Sequence, residues 1–166
     1  MRLRPYIHSH DFDKIKNWIQ DERTHAMWCA NHMKFPIEKE NFAETLDKMY
    51  ERHGDCPFVA VTDDGRAVGF ICCSFCAESK ESMLAFVMVD PEERGKGTAV
   101  AMLGLAAKYC FELLGAEAVQ LNVFDVNIPA VKCYEKAGFT ARRLDKDAFA
   151  YKDEKWGRCN MVLRKA

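Results

Sequence analysis

The sequence predicts a mixed α/β fold, a single domain over residues 1–166 in which a central sheet of about six or seven strands is flanked by about four helices. Three observations predict it. A chain of 166 residues is long enough to bury about 70% of its unfolded surface around one core without staples. Short β-branched and aromatic runs alternate with segments of helical period. A glycine-rich basic turn at residues 94–97 joins one such run to a long apolar helix.

Leu3 to His8 reads as the first strand, and Ser9 or Asp11 then caps a helix with Phe12, Ile15, Trp18 and Ile19 at helical spacing. Pro36 interrupts the chain. A second helix is predicted over Glu38 to Arg52, where Phe42, Leu46 and Met49 recur at helical intervals and Gly54 stops it. Phe58 to Thr62 and Ala67 to Cys76 flank Asp63-Asp64-Gly65-Arg66, a hairpin whose Asp-Gly step tolerates positive φ. Met83 to Val89 is the next strand, ended by Asp90-Pro91.

The helix that follows runs from Thr98 to Leu114, with Ala99, Met102, Leu103, Ala106, Cys110 and Leu113 on one face and Gly115 at its end. A second strand–helix unit comes next. Ala118 to Val123 is its strand, Asp125-Val126-Asn127 its turn, and Ile128 to Lys136 its helix, with Pro129 in the first turn and Gly138 as the stop. Phe139 to Leu144 and Cys159 to Arg164 add two last strands, and charged Asp145 to Lys155 is predicted as the loop between them.

With 24 basic against 25 acidic residues, no overall charge marks a nucleic-acid or anionic-membrane binder, so any phosphate recognition is local. The N-terminus lacks the apolar core of a signal peptide and no stretch approaches the roughly 18 apolar residues of a membrane span. The expected location is the cytoplasm. Eight cysteines in such a chain read as reduced core residues. Cys73 and Cys76 form a C-x-x-C within a predicted strand, but no second pair completes four zinc ligands, so no metal is expected.

The segment from Val87 to Ala99 carries the most information. A strand exit, Gly95, Gly97 and a helix start together make an anion site, because free backbone N–H groups and the positive end of the helix dipole attract phosphate oxygens. Arg94 and Lys96 add positive charge. A P-loop is excluded by Thr98-Ala99 after Gly97, and a dinucleotide-binding fingerprint by Val100 where it needs glycine. The alternative is a tight turn with solvated basic residues.

Arg94-Gly95-Lys96-Gly97-Thr98-Ala99 matches a Gln or Arg, two residues, Gly, one residue, then Gly or Ala, after a strand ending in Val89-Asp90-Pro91. Leu121-Asn122-Val123, Asn127, Ala130, Tyr134 and Glu135-Lys136-Ala137-Gly138-Phe139 form a second patterned segment in the same order. In both, the chain resembles the GNAT superfamily of N-acetyltransferases, specifically over Met83 to Phe139 and in outline elsewhere. The resemblance implies the GNAT fold and transfer of an acetyl group from acetyl-CoA to a primary amine, in a ternary complex. It implies that Val87, Met88 and Val89 offer main-chain groups to pantetheine and the acetyl carbonyl. It also implies that Arg94, Gly95, Lys96, Gly97, Thr98, Ala99 and Val100 hold the pyrophosphate.

Tyr134 matches the family tyrosine that hydrogen-bonds or protonates the departing thiolate, and helix-face packing is its other reading. Asn127 is expected both to cap its helix and to contact the cofactor. The oxyanion donor is expected to be a main-chain N–H on the Val87–Val89 strand. Positions where many relatives carry a glutamate base fall near Leu84 and Asn122, neither of them a base. Glu78, Asp90, Glu22 and His32 are the remaining candidates by their place near the inferred cleft. Trp18 to Phe35 and Asp145 to Lys155 are expected to select the acceptor, with Trp18, Trp28, Asp21 and Glu22 as candidates. The acceptor is a small molecule or a peptide, and a homodimer is left open. Two rivals stand beside this reading: a non-catalytic acyl-CoA-binding or sensory module, and an enzyme for a longer acyl chain.

Overall fold

A computed structural model describes residues 1–165 of the chain. In chain order the elements are β1 (Arg2–Pro5), α1 (His8–Ile15), α2 (Glu22–Cys29), α3 (Lys39–His53), β2 (Cys56–Val61), β3 (Ala67–Cys76), β4 (Glu81–Val89), α4 (Thr98–Glu112), β5 (Ala118–Phe124), α5 (Ile128–Lys136), β6 (Thr140–Tyr151) and β7 (Glu154–Arg164). Single 3-10 turns lie at Lys16–Trp18 and Pro91–Glu93. The seven strands form one mixed sheet in the order β1-β2-β3-β4-β5-β7-β6. Only β4 and β5 pair in parallel, which requires a crossover, and α4 supplies it.

Side chains alternate across the sheet, so each strand feeds two cores. Val68, Ile71, Cys73, Leu84, Val119 and Leu121 pack with Met102, Leu103, Ala106 and Cys110 of α4 and Tyr134 of α5. On the opposite face Val59, Val61, Phe70 and Cys72 pack with Phe12 and Ile15 of α1, Cys29 of α2, and Phe42 and Leu46 of α3. Phe42 and Phe70 have no solvent exposure, and burial of each side chain stabilises the fold by about 1.5–3 kcal/mol.

The stops of α3 and α5 fall where the glycines predict, whereas α4 ends at Glu112, two residues short of the predicted Leu114, with Leu113 as its cap. Gly54 has φ +69°, and its N–H donates to the Tyr50 carbonyl at 2.8 Å. Several expectations need correction. The first strand ends at Pro5, and α1 begins at His8, so Ser9 and Asp11 lie inside the helix. Asp11 instead accepts from the Ile7 N–H and from both Arg4 Nη atoms, which ties β1 to α1. A fifth helix, α2, was not read. Eight residues give too short a periodic signal, and its cap Asp21, which accepts from the Thr24 N–H at 2.8 Å, is indistinguishable in sequence from surface charge.

Residues 145–155 are not a loop. β6 and β7 run through them to a turn at Lys152-Asp153, with Lys152 at φ +53°. The charges fall on the exposed face of the edge strand, while Phe149, Tyr151 and Trp156 pack with Phe124 and Ala26. Among the described residues no helix is long and apolar enough to cross a membrane.

Candidate active site

The sheet opens at its middle. β4 and β5 pair from Glu81↔Ala118 to Leu84↔Leu121 and no further, so Ala85 to Val89 keep only β3 as a strand neighbour. A bulge makes the break: Phe86 has φ +51°, and the β3–β4 register shifts between Phe70 and Cys72. Before the bulge Leu84 packs toward α4; after it Phe86 and Met88 pack toward α1–α3, and Val87 turns toward α4. The Asp90 N–H donates to the Val68 carbonyl and Met88 stands opposite Phe70, so by the alternation of the ladder Met88 turns its main-chain groups to β3 while those of Val87 and Val89 are left at the open side.

The chain leaves β4 through the Pro91–Glu93 turn and enters α4 at Gly97, its N-cap. Gly95 and Gly97 have φ +76° and +83°, and a Cβ at either would meet nothing within 4 Å. The first main-chain donor committed to the helix is Ala101, to the Gly97 carbonyl at 3.0 Å. Six consecutive N–H groups, Gly95 to Val100, have no acceptor among the described residues. They stand at the positive end of a 15-residue helix, a setting that stabilises anions. Lys96 and Arg66 both pair with Glu93, at 3.5 and 3.0 Å. Arg94 is exposed and has no ion-pair partner among the described residues, so it is the cation free to face a phosphate.

Across the sheet from α4 lies a cavity of about 600 Å³. α2 and the residues after it supply Met27, Trp28, Cys29 and His32; α3 supplies Met49, Arg52 and His53; the strands supply Ser74, Met83, Ala85, Phe86 and Asn122. Two further groups, Asp55 and Glu81, bring carboxylates. Glu81 is neutralised by Arg142, whose Nη1 lies 2.8 Å away, and Arg142 and Asn160 extend this polar network to Gln120 and Asn122. Asp55 is 3% exposed, and its Oδ1 has no hydrogen-bond partner. Trp28 Nε1 is likewise buried without an acceptor.

A strand-opening bulge beside a helix N-terminus lined with free amides agrees with the family model that fits residues 12–139, that of the acetyltransferase (GNAT) family. The chain belongs to this family. Streptothricin acetyltransferase of Streptomyces lavendulae is 36% identical over 88 residues, 53% of this chain and 46% of that protein. The SPbeta prophage-derived N-acetyltransferase YokL of Bacillus subtilis is 28% identical over 107 residues, 64% of this chain and 60% of that one. The chain spans about half the length of the curated relatives it matches. Spermidine N-acetyltransferase from Vibrio cholerae, solved with CoA and spermine, superposes with a TM-score of 0.80 at 21% identity, over 98% of this chain and 94% of that one. That likeness gives the GNAT fold.

Within this GNAT domain the predicted residues divide between the two faces. Val87 to Val89 and Arg94 to Val100 lie at the opening and the α4 turn. Tyr134 lies on the α4–α5 side, 8% exposed, with its ring 6.4 Å from that of Phe139. Burial pushes its phenol well above the ordinary value, so it stays protonated. Asn127 caps α5 by accepting from the Ala130 N–H at 3.3 Å.

Of the four candidate bases only His32 lines the cavity. Glu78 is exposed in the β3–β4 turn, Asp90 caps the Pro91–Glu93 turn, and Glu22 pairs with Lys152 at 3.0 Å. Trp28 faces the cavity whereas Trp18 is core. Sequence reading missed Asp55. Its signal is phase: Val59 and Val61 face α1–α3, and a period of two carried back from them reaches Asp55 on the same face.

Proposed function

We propose that this protein is an N-acetyltransferase that moves an acetyl group from acetyl-CoA to a primary amine by direct attack in a ternary complex. The observation that carries the reading is the unbroken run of six acceptorless N–H groups from Gly95 to Val100 beside the opening of β4. Such a run suits a pyrophosphate, and the two glycines leave room for close approach. The chain's own residues then divide the work. Main-chain N–H groups of Val87 and Val89 receive the charge that develops on the carbonyl oxygen. The neutral amine enters from the cavity on the opposite face and attacks the thioester carbon, so a C–N bond forms as the C–S bond breaks.

The C–S electron pair leaves on sulfur. Tyr134, on the α4 side and protonated, donates to that thiolate, while the amine's surplus proton leaves through cavity water past His32. No carboxylate is required at Leu84 or Asn122 if the amine arrives neutral. The test is release of CoA thiol from acetyl-CoA with a panel of primary amines. Amine-dependent thiol release and an acetylated product support the reading. Tight acetyl-CoA binding with no transfer to any amine would make the domain a binding module instead.

A further inference from the structure

We infer that Asp55 is the acceptor-binding carboxylate of the cavity, holding a second, cationic group of the amine substrate, so that linear diamines and polyamines are preferred over monoamines. The inference rests on the acetyltransferase reading above. The Ser74 hydroxyl and the His53 imidazole are the polar neighbours of Asp55, and they leave its Oδ1 without a hydrogen bond. The end of α3 is already closed by the Gly54 N–H on the Tyr50 carbonyl, and no Lys or Arg lies within ion-pair distance of the Asp55 carboxylate among the described residues. An interior carboxylate without a cation is costly, and it persists where a ligand cation completes it.

Its place fits a second group rather than the reacting one. Cys56 pairs with Cys73 and Ser74 with Met83, so Asp55 stands level with Met83, two strands from β4 and two residues short of Ala85. With strands about 4.8 Å apart and about 3.3 Å per residue, Asp55 lies roughly 12 Å from the point where β4 opens. A spacer of several methylenes spans that distance. Met27, Met49, Met83, Phe75 and Phe86 line the way with apolar surface, while Arg52 and Arg158 are exposed and Arg158 already pairs with Asp145 at 3.2 Å. Trp28, with its indole stacked on Phe42, walls the same cavity.

The experiment compares α,ω-diaminoalkanes with amino-alkanols of equal length, in turnover with acetyl-CoA and in calorimetric binding to the CoA-loaded protein. The wild type is expected to favour the longer diamines. Asp55→Asn is expected to lose about 10- to 100-fold in kcat/KM and in affinity for them, with the KM for acetyl-CoA unchanged and the amino-alkanols unaffected. Asp55→Glu is expected to restore part of the preference. Thermal melts check that both variants fold. A wild type that binds diamines and amino-alkanols equally, or an Asp55→Asn variant that keeps the preference, overturns the inference, as does a preference for amino acids. Because binding is read without turnover, absence of acetyl transfer sinks the catalytic reading separately.

Discussion

Arg23 of α2 and Glu154 of β7 form a two-pronged ion pair across 131 residues of chain, with Nη2 and Oε2 3.0 Å apart. The guanidinium lies 5.0 Å over the Trp156 ring, and Glu22–Lys152 runs beside the pair at 3.0 Å. These contacts set α2, and with it Trp28, over the opening between β4 and β5.

The Arg23 guanidinium and the Trp156 indole N–H hold the Glu154 carboxyl at about 2, below its ordinary 4.5. A depressed carboxyl stabilises the fold above the ordinary value, and that contribution is lost as pH falls from 4.5 toward 2. Glu154→Gln is expected to lower the thermal midpoint at about pH 7 and to narrow the gap to the wild type at about pH 3. Melts at both pH values check it. Arg23→Ala is expected to raise the KM for the amine more than the KM for acetyl-CoA.

Gly97 separates backbone strain from charge. With φ +83°, Gly97→Ala is expected to cost about 1–2 kcal/mol of stability and to bind acetyl-CoA more weakly. Gly97→Glu carries the same strain and adds negative charge among the free amides, so calorimetry should find a far larger loss of acetyl-CoA affinity. Equal affinities for the two variants place the pyrophosphate elsewhere.

Tyr134→Phe keeps the buried ring and removes its hydroxyl, which has no partner among the described residues. Loss of general-acid help typically slows the step by about 10²–10⁴-fold. The expected result is a lower kcat with acetyl-CoA affinity within a few-fold and an unchanged thermal midpoint. An unchanged kcat where chemistry limits the rate removes Tyr134 from the reaction.

Asp55 is expected to show opposed effects on stability and function. Burial pushes its carboxyl up, and Ser74 and His53 pull it part of the way back. A raised acid stabilises the fold only while protonated, and that contribution disappears as pH rises through the folded value. At about pH 7, Asp55→Asn is therefore expected to melt at a temperature equal to or above that of the wild type, with the advantage shrinking at about pH 4. The other ionisable groups facing the cavity, Arg52, His53, His32, Glu81, Arg158, Cys29 and Cys76, are the same in both proteins.

The sequence by itself determined the elements whose causes are local. Gly54 and Gly97 take positive φ where a helix ends or begins, Asp63 to Arg66 turn a hairpin, and the strand, glycine turn and helix from Val87 to Val100 lie contiguous in the chain. A short-range signal needs only neighbours in sequence, so the turn and its family likeness were legible. Tertiary structure decided the opening at Leu84, because whether β5 stays beside β4 past the Phe86 bulge depends on strands far apart in the chain. It also turned charged residues 145–155 into paired strands, since Phe149, Tyr151 and Trp156 bury a face that their charged neighbours conceal. Trp28, Asp55, Met83 and Asn122 line one cavity only because the sheet order sets β2, β3, β4 and β5 side by side beneath α2. Which strands become neighbours is settled by how two apolar faces bury at once, a property of the whole chain that no single segment contains.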